Sequence, residues 1–556
     1  MDLEEDLIFQ QKLIFKKITM KKITTLILSL LTIVSFSQDI ATARNQGIGA
    51  TVTITGIVTN GDELGPIRYI EDGTGGLALY DPATLGSVVR GDEITVTGVL
   101  IDYNGLMEMT PASINSTIST GNIMTPQLVT PLQVGENTES QLIQIDNLIF
   151  NSGGSLFTAG THDFVSNGET GKIYIRAGSP LENSLIPMGP ATLIGISSQY
   201  TFNLPANDGY QILPRDSSDI IPTGNLLITS SITQTNITNS GFDLSWTTSD
   251  NATTECFYGT TSSLGNSINM TGSTMSHNLS LTGLQPATVY YVQVYSVNGV
   301  DTAFSNVGVY ITASNSSGKI RPYFNHSVDV SFSSGTDAQN ITTFFNDTIK
   351  AYMDLAQNTL DICVYNASDA TIATAINDAY NRGVIVRYIA DDDVTNTMLN
   401  SLNSNIPIVF RNNSLSGIMH NKFIIVDANS TNNSWVMGGS TNWSNPSNLF
   451  NDYNNLIFIQ DKSIAQSYTI EFNEMWSGIF GSQKEDNTPH LFNLNGTEVE
   501  IYFSPSDQTT SQILKFIDNV DYSLEFGLLS FTRDDIASTI IEKEGDFGVN
   551  IRGIIE

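Results

Sequence analysis

The chain is poor in charge, and poorest in positive charge. Of 556 residues only 24 are lysine or arginine, against 56 aspartate or glutamate, and the net charge is -32. A charge of this size keeps the chain soluble and repels nucleic acid and anionic lipid surfaces unless cations bridge them. A basic groove along a phosphate backbone has few cations to draw on. Cysteine is nearly absent. Cys256 and Cys363 stand in apolar, strand-like surroundings in what read as different domains. Two buried free thiols are expected there instead of a disulfide, and two cysteines are too few for a metal centre. Long apolar runs are missing beyond the first forty residues, so no later stretch is suited to span a membrane.

What is there begins with Met20 to Ser37. Lys21 and Lys22 precede the apolar stretch Ile23 to Phe36, and Ser35 and Ser37 are small residues before Gln38. This is the pattern of a secretory signal peptide over 20–37. The apolar run is short for a membrane span, which favours cleavage over an anchor. Residues 1–19 carry mixed charges ahead of that signal and are read as a spurious extension, with Met20 the true start. The expectation is export, to the medium or the cell surface, with no transmembrane anchor.

Residues 39–118 alternate apolar and polar side chains in Thr51 to Val58, Ile67 to Ile70, Leu77 to Tyr80 and Glu93 to Leu100. A glycine-rich hairpin, Tyr69 to Gly76, lies among them. The segment resembles the secreted OB-fold modules found beside exported nucleases and phosphatases. Such modules often bind single strands through aromatics and a basic groove. Both are scarce here, so a spacer or docking role is expected. Residues 119–222 read as a diverged second copy. Leu142 to Ile149 matches the first strand, Gly171 to Arg176 matches Ile67 to Ile70, and Ala191 to Ile196 matches Ile94 to Val99. Residues 225–315 place Trp246 on an early strand and carry Leu281 to Tyr291 as a strand-turn-strand signature. They resemble a fibronectin type III domain, with the Trp and Tyr as sandwich core. Ser314 to Lys319 reads as a short linker.

From about residue 318 the pattern turns α/β. Thr359 to Tyr365 reads as a strand, Ala370 to Tyr380 as a helix ended by Arg382-Gly383, and Val384 to Ile389 as a parallel strand. Then comes His420-Asn421-Lys422-Phe423-Ile424-Ile425-Val426-Asp427, followed by Gly438-Gly439-Ser440-Thr441-Asn442. Residues i and i+2 of a strand share a face, so His420 and Lys422 are expected to point into one space. A nucleophile, a cation and nearby hydrogen-bond donors suit attack on a phosphodiester. The H-x-K-x4-D pattern with G-S-x-N resembles the phospholipase D superfamily, and residues 318–490 then correspond to a first half-domain. The helix 463–476, with Tyr468, Phe472 and Trp476 on its apolar face, resembles its closing helix.

The resemblance implies a covalent phosphohistidine intermediate, formed by one histidine while a second protonates the leaving alcohol and then activates water. His420, Lys422, Asp427 and Asn442 make up the catalytic set. Lys422 and Asn442 would hold the non-bridging oxygens. Ser440 and Gly439 would support the phosphate, and Asp427, beyond the buried strand, is more structural than proton-carrying. Family members often place a carboxylate downstream to orient the histidine. Asn454 stands at that position here, with Asp452 a possible substitute. No metal and no cofactor are implied, and Asp391-Asp392-Asp393 reads as a solvated loop. Ala428 to Ser434 reads as a surface hairpin loop.

Past residue 496 the pattern repeats. Glu498 to Ser506 echoes Ile320 to Ser327, Tyr522 to Phe526 echoes Asp361 to Tyr365, and Gly548 to Arg552 echoes Gly383 to Arg387. Residues 497–556 are read as the incomplete start of a second half-domain. A second H-x-K-x4-D is expected about 30–45 residues beyond Glu556, by the first copy's spacing. A homodimer is the other way to complete the site. The fold expected is therefore multidomain: all-β OB-like barrels and a fibronectin III sandwich, then an α/β phospholipase D-like domain with its second half truncated. Three functions stand open: an exported phospholipase D-like hydrolase of phospholipids or related phosphodiesters, an exported nuclease of the same superfamily, and a non-catalytic adhesive protein.

Overall fold

Alternation of apolar and polar residues carries through to the first strands of a computed structural model, which describes residues 37–299, 301–333, 337–411 and 417–555. The signal-peptide reading and the extension before it lie almost wholly outside these residues. The described chain divides into two compact units. The first comprises residues up to 148, with 159–182 and 191–221, and the second comprises 149–158, 183–190 and 222 onward.

In the first unit, strands β1 (Thr51–Val58), β2 (Ile67–Glu71), β3 (Gly76–Tyr80), β4 (Glu93–Tyr103) and β5 (Leu106–Ser119) close into a barrel in the order β1-β2-β3-β5-β4. Closure leaves no free sheet edge. The inward set Val52, Ile54, Ile70, Leu77, Leu79, Ile94, Val96 and Met109 fills it. A seven-stranded sheet follows, whose five longest strands are β6 (Leu142–Phe150), β7 (Gly160–Ser166), β8 (Glu169–Ile175), β9 (Ala191–Gln199) and β10 (Tyr210–Leu213). Their order is β9-β10-β8-β7-β6, with β9 also pairing β6, which is the cyclic order of the first barrel. Even the parallel pair recurs, β3 with β5 and β8 with β10. This corrects one strand match. Gly171 to Arg176 belongs to the third strand of its barrel, while Ile67 to Ile70 lies on the second of the other.

The second unit opens with an antiparallel sandwich of six strands between Thr233 and Ile311. Trp246 is buried in it, donates from Nε1 to Ser296 Oγ at 3.1 Å and stacks on His277. Tyr290 accepts from the Gln285 N–H through its hydroxyl, a brace that fixes the turn before its strand. The segment Ser314 to Lys319 is no free linker. Ser314 donates to Asp461, Ser316 to the Thr431 carbonyl and Ser317 to Gln460.

The α/β region is one eight-stranded sheet. Its elements are β11 (Lys319–Phe324), β12 (Gln339–Asn340), α1 (Phe345–Met353), β13 (Thr359–Val364), α2 (Ala370–Asn381), β14 (Ile385–Asp391), β15 (Ile408–Arg411), β16 (Lys422–Val426), β17 (Trp435–Gly439), β18 (Asn455–Gln460) and α3 (Lys462–Trp476). The sheet order is β12-β11-β18-β17-β16-β13-β14-β15. Helices α1 and α2 cover one face through Phe345, Ile349, Ile372 and Ile376, and α3 contributes Ile464, Phe472 and Met475 to a second core cluster. Asp369 caps α2 and Asp461 caps α3 by accepting first-turn N–H groups. With both faces covered, the central strands are near-continuously apolar, as in Phe423-Ile424-Ile425-Val426.

Beyond residue 496, α4 (Thr509–Asp518), β19 (Ser523–Leu528), α5 (Asp534–Phe547) and β20 (Asn550–Ile555) repeat the order α1-β13-α2-β14 at an almost constant offset, with β19 and β20 parallel. The expected echo of β11 differs. Thr497–Glu500 pairs antiparallel with Leu491–Leu494 as a hairpin. β11 is held in its sheet by β18, and among the described residues the repeat holds no counterpart of β18.

Both cysteines are free and buried.

Candidate active site

Strand direction decides which loops meet. β13, β14 and β15 run parallel to each other, while β16 is antiparallel to β13, and β17 and β18 continue the antiparallel run. The start of β16 therefore lies beside the ends of β13 and β17, and the start of β18 beside the end of β17. This edge of the sheet gathers His420, Lys422, Tyr365, Ser440, Asn442, Asn454 and Asp391.

His420 precedes β16 on an exposed irregular stretch, and Lys422 is its first residue. Lys422 Nζ donates to the His420 carbonyl at 2.8 Å and lies 5.7 Å from the centre of the Tyr365 ring. The same ring meets the His420 imidazole edge-on at 4.8 Å. Burial pushes the Lys422 ammonium down to about 8. Burial, then the Lys422 charge, holds His420 below the ordinary imidazole range, and Asp391 opposes them. Near neutral pH His420 is thus biased toward its neutral form, with a lone pair to share, beside a lysine that is still cationic.

Gly439 is required by its backbone. Its φ is 152°, and a Cβ there would stand 2.3 Å from the Asn455 carbonyl oxygen. The turn aims Ser440, whose hydroxyl donates to Asn454 Oδ1 at 2.8 Å and accepts from the Asn455 N–H at 3.0 Å. Asn442 lies three positions beyond Gly439, next to buried Trp443, whose backbone is tied to Asn366, Ser368 and Asp369. Asn442 Oδ1 is buried and has no hydrogen-bond partner among the described residues.

The structure bears on three expectations. Asp427 is grouped with the catalytic residues by the motif, yet it sits at the opposite end of β16. It is 2 % exposed and accepts from the N–H groups of Gln357, Asn358 and Thr359 and from Asn433 Nδ2. Its positive φ of 45° is held by those bonds. It is a scaffold residue, and with Ser434 fully buried the 428–434 connection is more than a surface loop. Second, neither substitute for the orienting carboxylate bonds to His420. Asp452 accepts from Asn448 Nδ2 at 2.6 Å, and Asn454 donates to the Asn448 carbonyl while holding Ser440. Third, Asp391 is not solvated. It is fully buried and ion-paired to Arg411. Tyr365, Asp391 and Arg411 are the site-edge residues that sequence reasoning missed. The triple-aspartate run was the available signal, and only the distant Arg411 explains why its first member is inside.

The Cardiolipin synthase, PLD-like domain family matches residues 349–476, which run from within α1 to the end of α3. The chain carries a phospholipase D-like domain. The fibronectin type III family matches residues 229–307, the sandwich that precedes it. The mitochondrial cardiolipin hydrolase of Xenopus tropicalis is 32% identical over 124 residues, covering 22% of this chain and 56% of that protein. The protein of the same name from Chlamydomonas reinhardtii is 28% identical over 127 residues, covering 22% and 54%. The chain thus spans about half the length of the curated relatives it matches. Among solved structures, the phospholipase D family member Nuc from Salmonella typhimurium is similar at 20% identity and a TM-score of 0.23, over 29% of this chain and 95% of that one.

Proposed function

We propose that the phospholipase D-like domain hydrolyses a phosphodiester, with a phospholipid or a chemically related diester as substrate, in an exported protein. The observation that carries this is the convergence of His420, Lys422, Ser440 and Asn442 at one sheet edge, with the Lys422 charge desolvated. A desolvated ammonium beside a phosphoryl group is worth more to a trigonal-bipyramidal transition state than one in water. The His420 imidazole, biased to its neutral form, attacks phosphorus. The P–O bond to the leaving alcohol breaks, and the alkoxide takes a proton from a second acid. Water, giving a proton to the conjugate base of that acid, then cleaves the phosphohistidine, returning the lone pair to His420 and giving the phosphomonoester. Lys422 and the Asn442 amide face the non-bridging oxygens.

The second acid is proposed to be the histidine of another H-x-K motif, supplied by a further stretch of the protein or by a second copy of the chain. The relatives named for cardiolipin hydrolysis support a lipid diester, and the net charge of -32 weighs against long polyanions. The two β regions that share one strand order are proposed to be OB-like modules serving as spacers or docking modules. The test is alcohol release from phosphatidylcholine, cardiolipin and a chromogenic phosphodiester, each with a chelator present, by the full-length gene product and its His420→Ala variant. Release from none of the three, or release that survives the substitution, overturns the reading.

A further inference from the structure

Asp391 ends β14 and is fully buried. Its Oδ2 accepts from Arg411 Nε at 2.9 Å and from the Met419 backbone N–H at 2.6 Å, and its Oδ1 accepts from the Asp393 N–H at 2.8 Å. Arg411, 3 % exposed, also pairs with Asp393 at 2.5 Å. Met419 immediately precedes His420. The buried carboxylate therefore grips the chain one residue from the imidazole. Its charge is screened little by solvent, so it acts over a longer range than a surface aspartate would. Tyr365, packed edge-on against His420, lies in the same field of Asp391, Asp393 and Arg411.

We propose that Asp391, braced by Arg411, is the positioning carboxylate of His420: it fixes the backbone at Met419 and supplies the negative charge that balances Lys422 when the imidazole becomes cationic. The inference rests on His420 as the reactive histidine. It fills the role that neither Asp452 nor Asn454 takes among the described residues. The charged and titratable groups around the imidazole are Lys422 and Tyr365 at its side, Asp391 behind Met419, and Arg411 and Asp393 behind Asp391. Lys422 drives the imidazole toward neutrality and Asp391 toward the cation.

The test is an NMR titration of the full chain with labelled histidine. The His420 signal, one of five, is assigned by its loss in His420→Gln. Asp391→Asn keeps an acceptor near the Met419 N–H but removes the charge and leaves Arg411 facing the site. The His420 midpoint is expected at lower pH than in the unsubstituted chain. Arg411→Gln leaves the bonds from Met419 and Asp393 in place and removes the balancing cation. The midpoint is expected to move the other way, to higher pH. Midpoints that stay put in a folded variant, or shifts of the wrong sign, overturn the proposal. A purely structural aspartate would lower Tm and leave the midpoints alone. If circular dichroism shows that Asp391→Asn does not fold, the sign of the Arg411→Gln shift decides. The measurement needs no turnover, so a chain that releases no alcohol yet shows both shifts would sink the phosphodiesterase reading and keep this one.

Discussion

The two ends of β16 have opposite chemistry. At the Asp427 end the carboxylate is fully engaged. One carboxylate takes three backbone N–H groups and an Asn amide, and the left-handed backbone is held in place by those bonds. At the His420 end the polar groups are crowded but under-used. Lys422 is partly stripped of water and, among the described residues, donates to the His420 carbonyl alone, while His420 has a ring contact and no side-chain hydrogen bond. A satisfied cluster lowers the energy of the fold. An unsatisfied one is tolerated where a substrate supplies the missing partners. Four apolar residues of one strand, Phe423 to Val426, separate the two, so a motif that reads as one site is two devices on one rod.

The comparison breaks first at His420. His420→Ala should cut phosphodiester hydrolysis by about 10³-fold or more, because a nucleophile has no substitute, and thermal unfolding should leave Tm where it was. Hydrolysis that survives would return this end of the strand to the scaffold. Lys422→Met should cost about 10²- to 10³-fold in kcat, the range for a lost transition-state charge, again with little change in Tm. Its protonation sets a pH test. The ammonium titrates at about 8 because burial favours the neutral amine. The charged form is present below that value and lost above it, so kcat/KM should fall as pH rises through about 8. A freely solvated lysine would hold its charge to about pH 10. A pH–rate profile flat to pH 9.5 would remove Lys422 from the chemistry.

How much of this was legible depends on the range of the interaction that decides each feature. Barrel strands, the sandwich core around Trp246 and the βαβ of the α/β domain are written in local alternation and capping, and they are where the patterns put them. The spacing of His420, Lys422, Ser440 and Asn442 is a local code too, since a strand and a glycine turn carry it. Asp391 is a different matter. Its burial depends on Arg411, twenty residues away, arriving on the next parallel strand, and on Met419 coming back along the sheet edge. Nothing in the Asp-Asp-Asp run distinguishes that from a wet loop. Likewise the absence of any bond between Asn454 and His420 follows from Ser440 and Asn448 claiming the amide first.

The scaffold end gives the converse test. Asp427→Ala removes one side chain and leaves three backbone N–H groups and the Asn433 amide without their acceptor. Unsatisfied buried donors cost about 1–3 kcal/mol each, partly recovered by water at this edge, so a loss of about 2–4 kcal/mol in unfolding free energy is expected. Activity per folded molecule should be nearly unchanged, as read by kcat at a temperature well below the new Tm. A fall in kcat matching that of Lys422→Met, with stability intact, would put Asp427 back among the catalytic groups.

Ser440→Ala should give the smallest effect of the four. The hydroxyl bridges Asn454 Oδ1 and the Asn455 N–H, so it braces the turn that carries Asn442 instead of facing the phosphate unaided. A neutral hydrogen bond is worth about 0.5–1.5 kcal/mol net, which corresponds to about a two- to twelvefold change. If Ser440 only braces, the loss should appear in kcat, through a displaced Asn442, with a small fall in Tm alongside. If it binds phosphate directly in the ground state, KM should rise at constant kcat and Tm. That split decides whether the hydroxyl belongs to the satisfied kind of polar group or to the waiting kind.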